Sequence, residues 1–302
     1  MDPPTTKKIR HLVLSGGGGI IFAYYGAMRE SSKAGFWNIN DIQTIHGVSC
    51  GAILAAILAT TKHIHWDDYD DFFIKRPWET VLDFSPKKLF NAYANTGICG
   101  KESMQNVFSP LLNAIDLPLD VTLQQFAEFV GIDVHFYATN FNTYELVDLS
   151  AKTHPEWTLI DAVYSSCALP FLFQPNIVDG VCYIDGGMLC NYPVNQCLDL
   201  VEDPDEIFGM NKIISVKSEP DTATATATTY TNLMEYVFDI VAKTARKIRI
   251  PSVQIKHTLE FLDELTTAWE VYNALKDRES RTAKVQKGVD IWTNYAATLG
   301  IP

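Results

Sequence analysis

Two short apolar runs open the chain, each followed at once by glycines and then by a helical pattern. Arg10-His-Leu-Val-Leu-Ser15 reads as a buried strand ending at Gly16-Gly-Gly-Gly19, and Ile42 to His46 as a second strand leading into Gly47-Val-Ser-Cys-Gly51. Between them, residues 20–34 put Phe22, Ala23, Gly26, Ala27 and Met28 on roughly one helical face. Lys33 near the negative end of the dipole and Gly35 just beyond close that helix. Ala52 to Thr61 is apolar nearly all round, which predicts a buried helix. Strand, helix, strand, helix at this spacing predicts parallel strands joined by right-handed crossovers.

Further along, residues 63–96 read as irregular, acidic and aromatic, with Tyr69 to Trp78 forming either a lid or membrane-touching rim or part of the core. Gly97 to Lys101 reads as a loop, 102–115 as a helix, and Thr122 as the cap of a helix over 123–130. Strands are expected at Asp133 to Asn140, Glu145 to Leu149, Cys182 to Ile184 and Lys212 to Lys217, with a helix from Leu159 to Ser166 stopped before Pro170. Asp221 to Thr231 is a low-complexity loop. Residues 232–248 carry an apolar stripe of Leu233, Tyr236, Val237, Ile240, Val241 and Ile248, and 254–299 is expected to be helical. No repeat of solenoid length is present.

Composition narrows the classes. The 302 residues are 47% hydrophobic and 20% charged, enough for one large α/β domain or two smaller ones. With 24 Lys plus Arg against 36 Asp plus Glu, the net charge is −12. This argues against a nucleic-acid binder, which needs clustered cations, and against adsorption to an anionic membrane unless one face is locally basic. Lys243, Arg246, Lys247 and Arg249 form such a cluster, and either complement a helix dipole or meet a headgroup. The first ten residues hold no apolar core of the signal-peptide kind, and the longest apolar run, Ala52 to Ala59, is well short of the ~20 residues of a membrane span. Six cysteines without a Cys-x-x-Cys pair read as buried free thiols in a reducing, cytoplasmic setting, with membrane contact only at the surface.

The candidate chemistry lies at the two glycine turns. Gly47-Val-Ser49-Cys-Gly51 fits the G-x-S-x-G nucleophile elbow in its required strand-to-helix context. The glycines are needed because side chains two residues either side of the serine would strike the strand and the helix. Ser49 then stands at a helix N-terminus, where N–H groups favour developing negative charge. The four-glycine run lacks the third glycine of a dinucleotide loop and the Gly-Lys-Ser/Thr ending of a P-loop. A flexible turn and an oxyanion hole remain, and the elbow one βα unit later favours the hole. For the base, His257 is the histidine that follows Asp185 in the order a Ser-acid-His triad requires, while His46 reads as structural. Asp185, at a strand end before Gly186 and Gly187, presents a carboxylate where open α/β sheets place their sites.

Four blocks bear on that choice: Leu14-Ser-Gly-Gly-Gly18, Gly47-Val-Ser-Cys-Gly51, Ser166-Cys-Ala-Leu-Pro-Phe-Leu-Phe173, and Tyr183-Ile-Asp-Gly-Gly187 with Asn191-Tyr-Pro-Val194. In this order, over about residues 10–217, the chain resembles the patatin-like phospholipases. The resemblance implies a three-layer α/β/α fold with a mainly parallel central sheet, to which the helical patterns beyond residue 231 add C-terminal helices. Taken with the low-complexity loop and the helical patterns beyond it, this gives an expected catalytic core over 1–220, the loop 221–231, and a C-terminal helical region, 232–302, packed on the core. The resemblance also implies a Ser49–Asp185 dyad without histidine, an oxyanion hole shaped by Gly16, Gly17, Gly18 and Gly19, and structural glycines at Gly47, Gly51, Gly186 and Gly187. The expected activity is lipid acyl-ester hydrolysis of the phospholipase A or lysophospholipase type, without metal or cofactor, on a phospholipid met transiently at a membrane or micelle surface. A lipid acyltransferase, a lipid-binding module and a Ser-His-Asp hydrolase remain open. Ile20 and Ile21 depart from the pattern, since members usually carry Lys or Arg and then Gly there, and Cys50 replaces the commoner Ala or Thr.

Overall fold

The computed structural model describes residues 7–82, 96–214, 233–263 and 275–301; the expected loop 221–231 and positions 215–217 of the strand expected from Lys212 lie outside them. Ten strands are present among the described residues: β1 His11–Leu14, β2 Thr44–Val48, β3 Gly97–Cys99, β4 Asp133–Asn140, β5 Glu145–Leu149, β6 Phe171–Phe173, β7 Asn176–Val178, β8 Val181–Asp185, β9 Ile207–Ile214 and β10 His257–Asp263. The longer helices are α1 Ile21–Lys33, α2 Cys50–Ala59, α3 Glu102–Ala114, α4 Leu123–Val130, α5 Leu159–Cys167, α6 Leu233–Ile248 and α7 Arg278–Leu299. The fold is α/β, with a mixed, mainly parallel sheet flanked by helices.

Parallel pairing runs β10-β9-β1-β2-β4, and β5, β8 and β7 join antiparallel. One detail of this pairing positions the site. Both β5 and β8 pair with Ala138–Asn140, so they occupy opposite edges of β4. Both β2 and β5 pair with Phe136 and Tyr137, so those two are also opposite. Therefore β2 and β8 share one edge of β4 and run at each other end to end. Val48 closes β2 opposite Tyr137, and Asp185 closes β8 opposite the next residue, Ala138.

The sheet's two faces differ in chemistry. Leu12, Leu14, Ile45, Phe136, Phe208, Met210, Leu259 and Phe261 point into the main core, with α1 and α2. The alternate positions Val13 and Ile207 join a smaller cluster with Tyr192, Val194 and Cys197. On this second face His11, Thr44, His46 and Tyr137 are linked by hydrogen bonds of 2.9 Å each, and the His46 and His135 rings stack at 4.5 Å. His46 is thus a bonded structural histidine, held neutral by burial and by the adjacent His135. The helix α7 is locked onto α1 by reciprocal close approach: a Cβ on Gly26 would strike the Val285 carbonyl, and one on Gly288 the Ala23 carbonyl.

Several expectations need correction. Residues 257–263 are strand, not helix: Leu259 and Phe261 are buried while Glu260 and Leu262 are exposed, a period of two that ends the helical reading of 254–299. The strand expected from Lys212 begins at Ile207. Gly97–Cys99, expected as loop, pairs with β6 in a separate two-stranded sheet. Residues 66–75 and 78–81 are helical turns rather than irregular chain, and Tyr69, Phe72, Phe73 and Trp78 are buried, with Phe73 stacked on Tyr25 at 4.2 Å. That stretch is core.

His135 is buried between two carboxylates, its Nδ1 2.8 Å from Asp148 and its Nε2 3.3 Å from Asp133. Burial alone would lower its pKa, but the bonds and charges of Asp133 and Asp148 raise it to about 9. A histidine whose folded pKa lies above its unfolded value stabilises fully below about pH 6.5 and loses that contribution as pH rises through about 9. Thermal unfolding is therefore expected at lower temperature as the pH is raised across that window, and His135→Gln should flatten the slope. An unchanged slope in the variant would remove His135 as its cause.

Candidate active site

Ser49 is built by strain. Its backbone sits at φ 55, ψ −126, which a non-glycine residue adopts only at a cost of about 1–3 kcal/mol. The turn is possible because its flanks are bare: a Cβ on Gly47 would lie 2.5 Å from the Gly51 carbonyl, and one on Gly51 would strike the Leu14 carbonyl. The helix α2 begins at Cys50, two residues before the expected Ala52, and is buried on nearly every side. Ser49 itself is partly exposed.

The end of α5 holds this elbow from behind. The Ser49 amide donates to Ser166 Oγ at 3.0 Å, and Ser166 Oγ donates to the Tyr137 carbonyl at 2.7 Å. Cys167 Sγ donates to the Ser49 carbonyl at 3.1 Å, and the Asp185 amide donates to the Ala168 carbonyl at 3.0 Å. Three consecutive residues thus tie the serine and the aspartate to one helix terminus. Reading for reactive groups missed them, because Ser166 acts by bonding backbone; the signal was the block Ser166–Phe173, matched as a unit.

Asp185 is 3% exposed and ends β8 against the elbow. Its Oδ1 accepts from the Gly187 amide at 2.7 Å, and Gly186 lies flat on the Tyr137 carbonyl, where a Cβ would clash. Burial raises the Asp185 pKa; hydrogen bonding from Ser49, the Gly187 amide and the charge of Arg249 draw it back, to about 6. A carboxyl poised there accepts a proton at neutral pH far better than one at ~4.

The glycine run folds over the pair. A Cβ on Gly16 would lie 3.1 Å from the Ser49 Cβ, so the turn rests directly on the serine. The Gly16 amide is spent on the Asn191 carbonyl at 2.9 Å, and Asn191 Nδ2 returns a bond to the Gly16 carbonyl at 3.1 Å. The Gly17 and Gly18 amides instead face the Cys50 thiol, beside Ser49. Gly18, at φ 63, and Gly19 start a short 3-10 turn into α1. Burial pushes the Cys50 thiol up to about 12, which keeps it protonated.

Ile20 and Ile21, where a cation and a glycine were expected, are buried in the core. A cation arrives from another strand. The stem of Lys212, on β9, packs over Gly17, its Nζ donates to the Gly17 carbonyl at 3.4 Å, and its amide donates to Ser15 Oγ at 2.8 Å. On the opposite side Arg249 Nε donates to the Gly187 carbonyl at 2.6 Å. Each glycine turn is therefore capped by one cation.

His257 is not part of this arrangement. It opens β10 beside Phe208, in register with Leu12 and Ile45, four residues short of Ser49 along the strands and three strands away. Its Nδ1 is 2.8 Å from the Tyr295 hydroxyl. Among the described residues no cluster of His, Cys, Asp and Glu suited to a metal is found.

The fold and these turns define a class. The family model for patatin-like phospholipase matches residues 12–198, more than half of the chain. The chain belongs to the patatin-like phospholipase family. The uncharacterized protein R571 of Acanthamoeba polyphaga mimivirus is 25% identical over 262 residues, covering 85% of this chain and 84% of that protein. The probable lipid hydrolase 463L of Invertebrate iridescent virus 6 is 26% identical over 198 residues, covering 63% of each. Among solved structures, VipD from Legionella pneumophila shares the fold, with a TM-score of 0.56 at 15% identity over 97% of this chain and 67% of that one.

Ser166→Ala would leave the Ser49 amide and the Tyr137 carbonyl each short of a partner. A stability loss of about 1–3 kcal/mol is expected by denaturant unfolding. Should the protein hydrolyse esters through Ser49, turnover should fall about tenfold from misplacement of the nucleophile. Full activity in a folded variant would show that the bond does not position Ser49.

Proposed function

We propose that this protein is a lipid acyl hydrolase of the phospholipase A or lysophospholipase type, in which Ser49 and Asp185 act as a dyad. The observation that carries the reading is the meeting of β2 and β8 on one edge of β4, which brings a strained, accessible serine against a buried carboxyl with a pKa of about 6. The relative in Invertebrate iridescent virus 6 described as a probable lipid hydrolase supports the substrate class.

In this mechanism Ser49 Oγ attacks the ester carbonyl carbon while Asp185 takes its proton. The carbonyl oxygen becomes an oxyanion, and the Gly17 and Gly18 amides donate to it, aided by the N-terminus of α2. Collapse expels the alcohol, which receives the proton back from Asp185, and leaves an acyl ester on Ser49. Water then attacks that ester, gives its proton to Asp185, and the fatty acid leaves as Ser49 is reprotonated. Gly16 and Gly19 shape the donor loop, and Gly186 and Gly187 let the acid turn approach it. The protein would meet its substrate at a lipid surface. Among the described residues no helix is long and apolar enough to cross a membrane.

Ser49→Ala and Asp185→Asn should each lower ester hydrolysis by at least about 10³-fold, and a fluorophosphonate probe should label wild type but not Ser49→Ala. His257→Ala should remain near wild type. Because the base must be ionised, kcat/KM should fall below an acid limb near the Asp185 pKa of about 6. Labelling that survives Ser49→Ala, or activity lost with His257, would refute the dyad.

A further inference from the structure

Arg249 takes no part in the proton transfers above, yet it is fixed against the acid turn. It follows the last residue of α6, and its amide donates to the Ala245 carbonyl at 3.0 Å. Its Nε donates to Gly187, and the next amide, of Ile250, donates to the Leu189 carbonyl at 2.7 Å. On the inner face of α6, Ala245 and Val241 pack against Ile184 and Met188. The segment is thus clamped to the residues either side of Asp185.

Only one edge of the guanidinium is used by this clamp. Its two Nη groups bond no acceptor among the described residues, and no carboxylate there comes within ion-pair distance. Burial penalises the charge, and nearby Asp185 offsets only part of that cost. Dipole complementation does not account for it, because Arg246 and Lys247 already occupy the last turn of α6. Its surroundings are amphiphilic: Ile248 is 40%, Ile250 43% and Val253 50% exposed. A chain of net charge −12 therefore holds a cation with spare donors between exposed apolar side chains, beside the Ser49–Asp185 pair.

We propose that Arg249 is the subsite for the phosphate of the substrate, so that acyl esters carrying a phosphodiester are preferred to neutral ones. The guanidinium fork suits two phosphate oxygens, and the flanking isoleucines suit the apolar part of the same lipid. The inference rests on the hydrolase reading and adds to it a headgroup determinant. It also gives the basic end of α6 a role that helix solvation alone would not require.

The test compares lysophosphatidylcholine with a monoacylglycerol of the same acyl chain, using wild type, Arg249→Gln and Arg249→Lys. Taking the ratio of the two kcat/KM values cancels any common effect on Asp185. Wild type should prefer the phosphodiester by at least about tenfold, and Arg249→Gln should reduce that ratio by about 10–100-fold, chiefly through KM, with partial recovery in Arg249→Lys. A wild type without preference, or a parallel loss on both substrates in Arg249→Gln, would overturn the proposal. Inorganic phosphate is the second arm. Arg249-dependent inhibition of monoacylglycerol cleavage without substrate preference would assign the site to a free anion instead. If wild type hydrolyses neither ester, the hydrolase reading fails and the subsite with it; if it cleaves both equally, only the subsite fails.

Discussion

The site depends on one geometric constraint: two strands that arrive from opposite directions and stop head to head along a single edge of β4. Neither the serine turn nor the aspartate turn is sufficient alone, because each presents its group at the end of a strand. The register places Val48 opposite Tyr137 and Asp185 opposite Ala138, one residue apart on a common template. The Tyr137 carbonyl lies at that junction, accepting from Ser166 and covered by Gly186. A slip of one residue in the pairing of β8 with β4 would turn the acid to the other face of the sheet, and a slip of β2 would displace the serine turn instead.

Close backbone approach is concentrated at that junction. Ser49 holds positive φ, Gly51 passes under the Leu14 carbonyl, and Gly186 passes over β4. The surrounding structure can impose such strain because it is dense: α2 is buried nearly all round, and the end of α5 bonds both partners. Burial of Asp185 is the same economy seen electrostatically. A carboxyl removed from water resists ionisation, and the few donors left to it bring its pKa back toward neutrality without restoring an ordinary acid.

Legibility in the sequence followed the range of the interactions. The two βα units at the start were readable because glycine, periodicity and helix composition are local signals, and Asp185-Gly-Gly was readable as a strand end. The strand β10 was not, since the alternating burial of His257 to Leu262 sat inside a longer span that resembled helix. The antiparallel entry of β8 was not legible either, because strand direction is set by partners far along the chain. The loss of a cation at Ile20 and Ile21 looked like a defect. Lys212 answers it from β9, 192 residues from Ile20 in sequence, a substitution visible only once β9 is seen to lie beside β1.

The crossing of α1 and α7 through Gly26 and Gly288 has a consequence for the order of assembly. The first βα unit carries the glycine turn, yet its helix is sealed by residues synthesised about 260 positions later, and β1 is flanked by β9, with β10 beyond it. Contacts of such long sequence separation form slowly, since the intervening loop must close first. During synthesis the elbow at Ser49 and its local glycines can exist well before the sheet that holds Asp185 and the lock that seals α1. The candidate site is thereby tied to late contacts: the serine turn is made early, and the frame that brings Asp185 against it is made late.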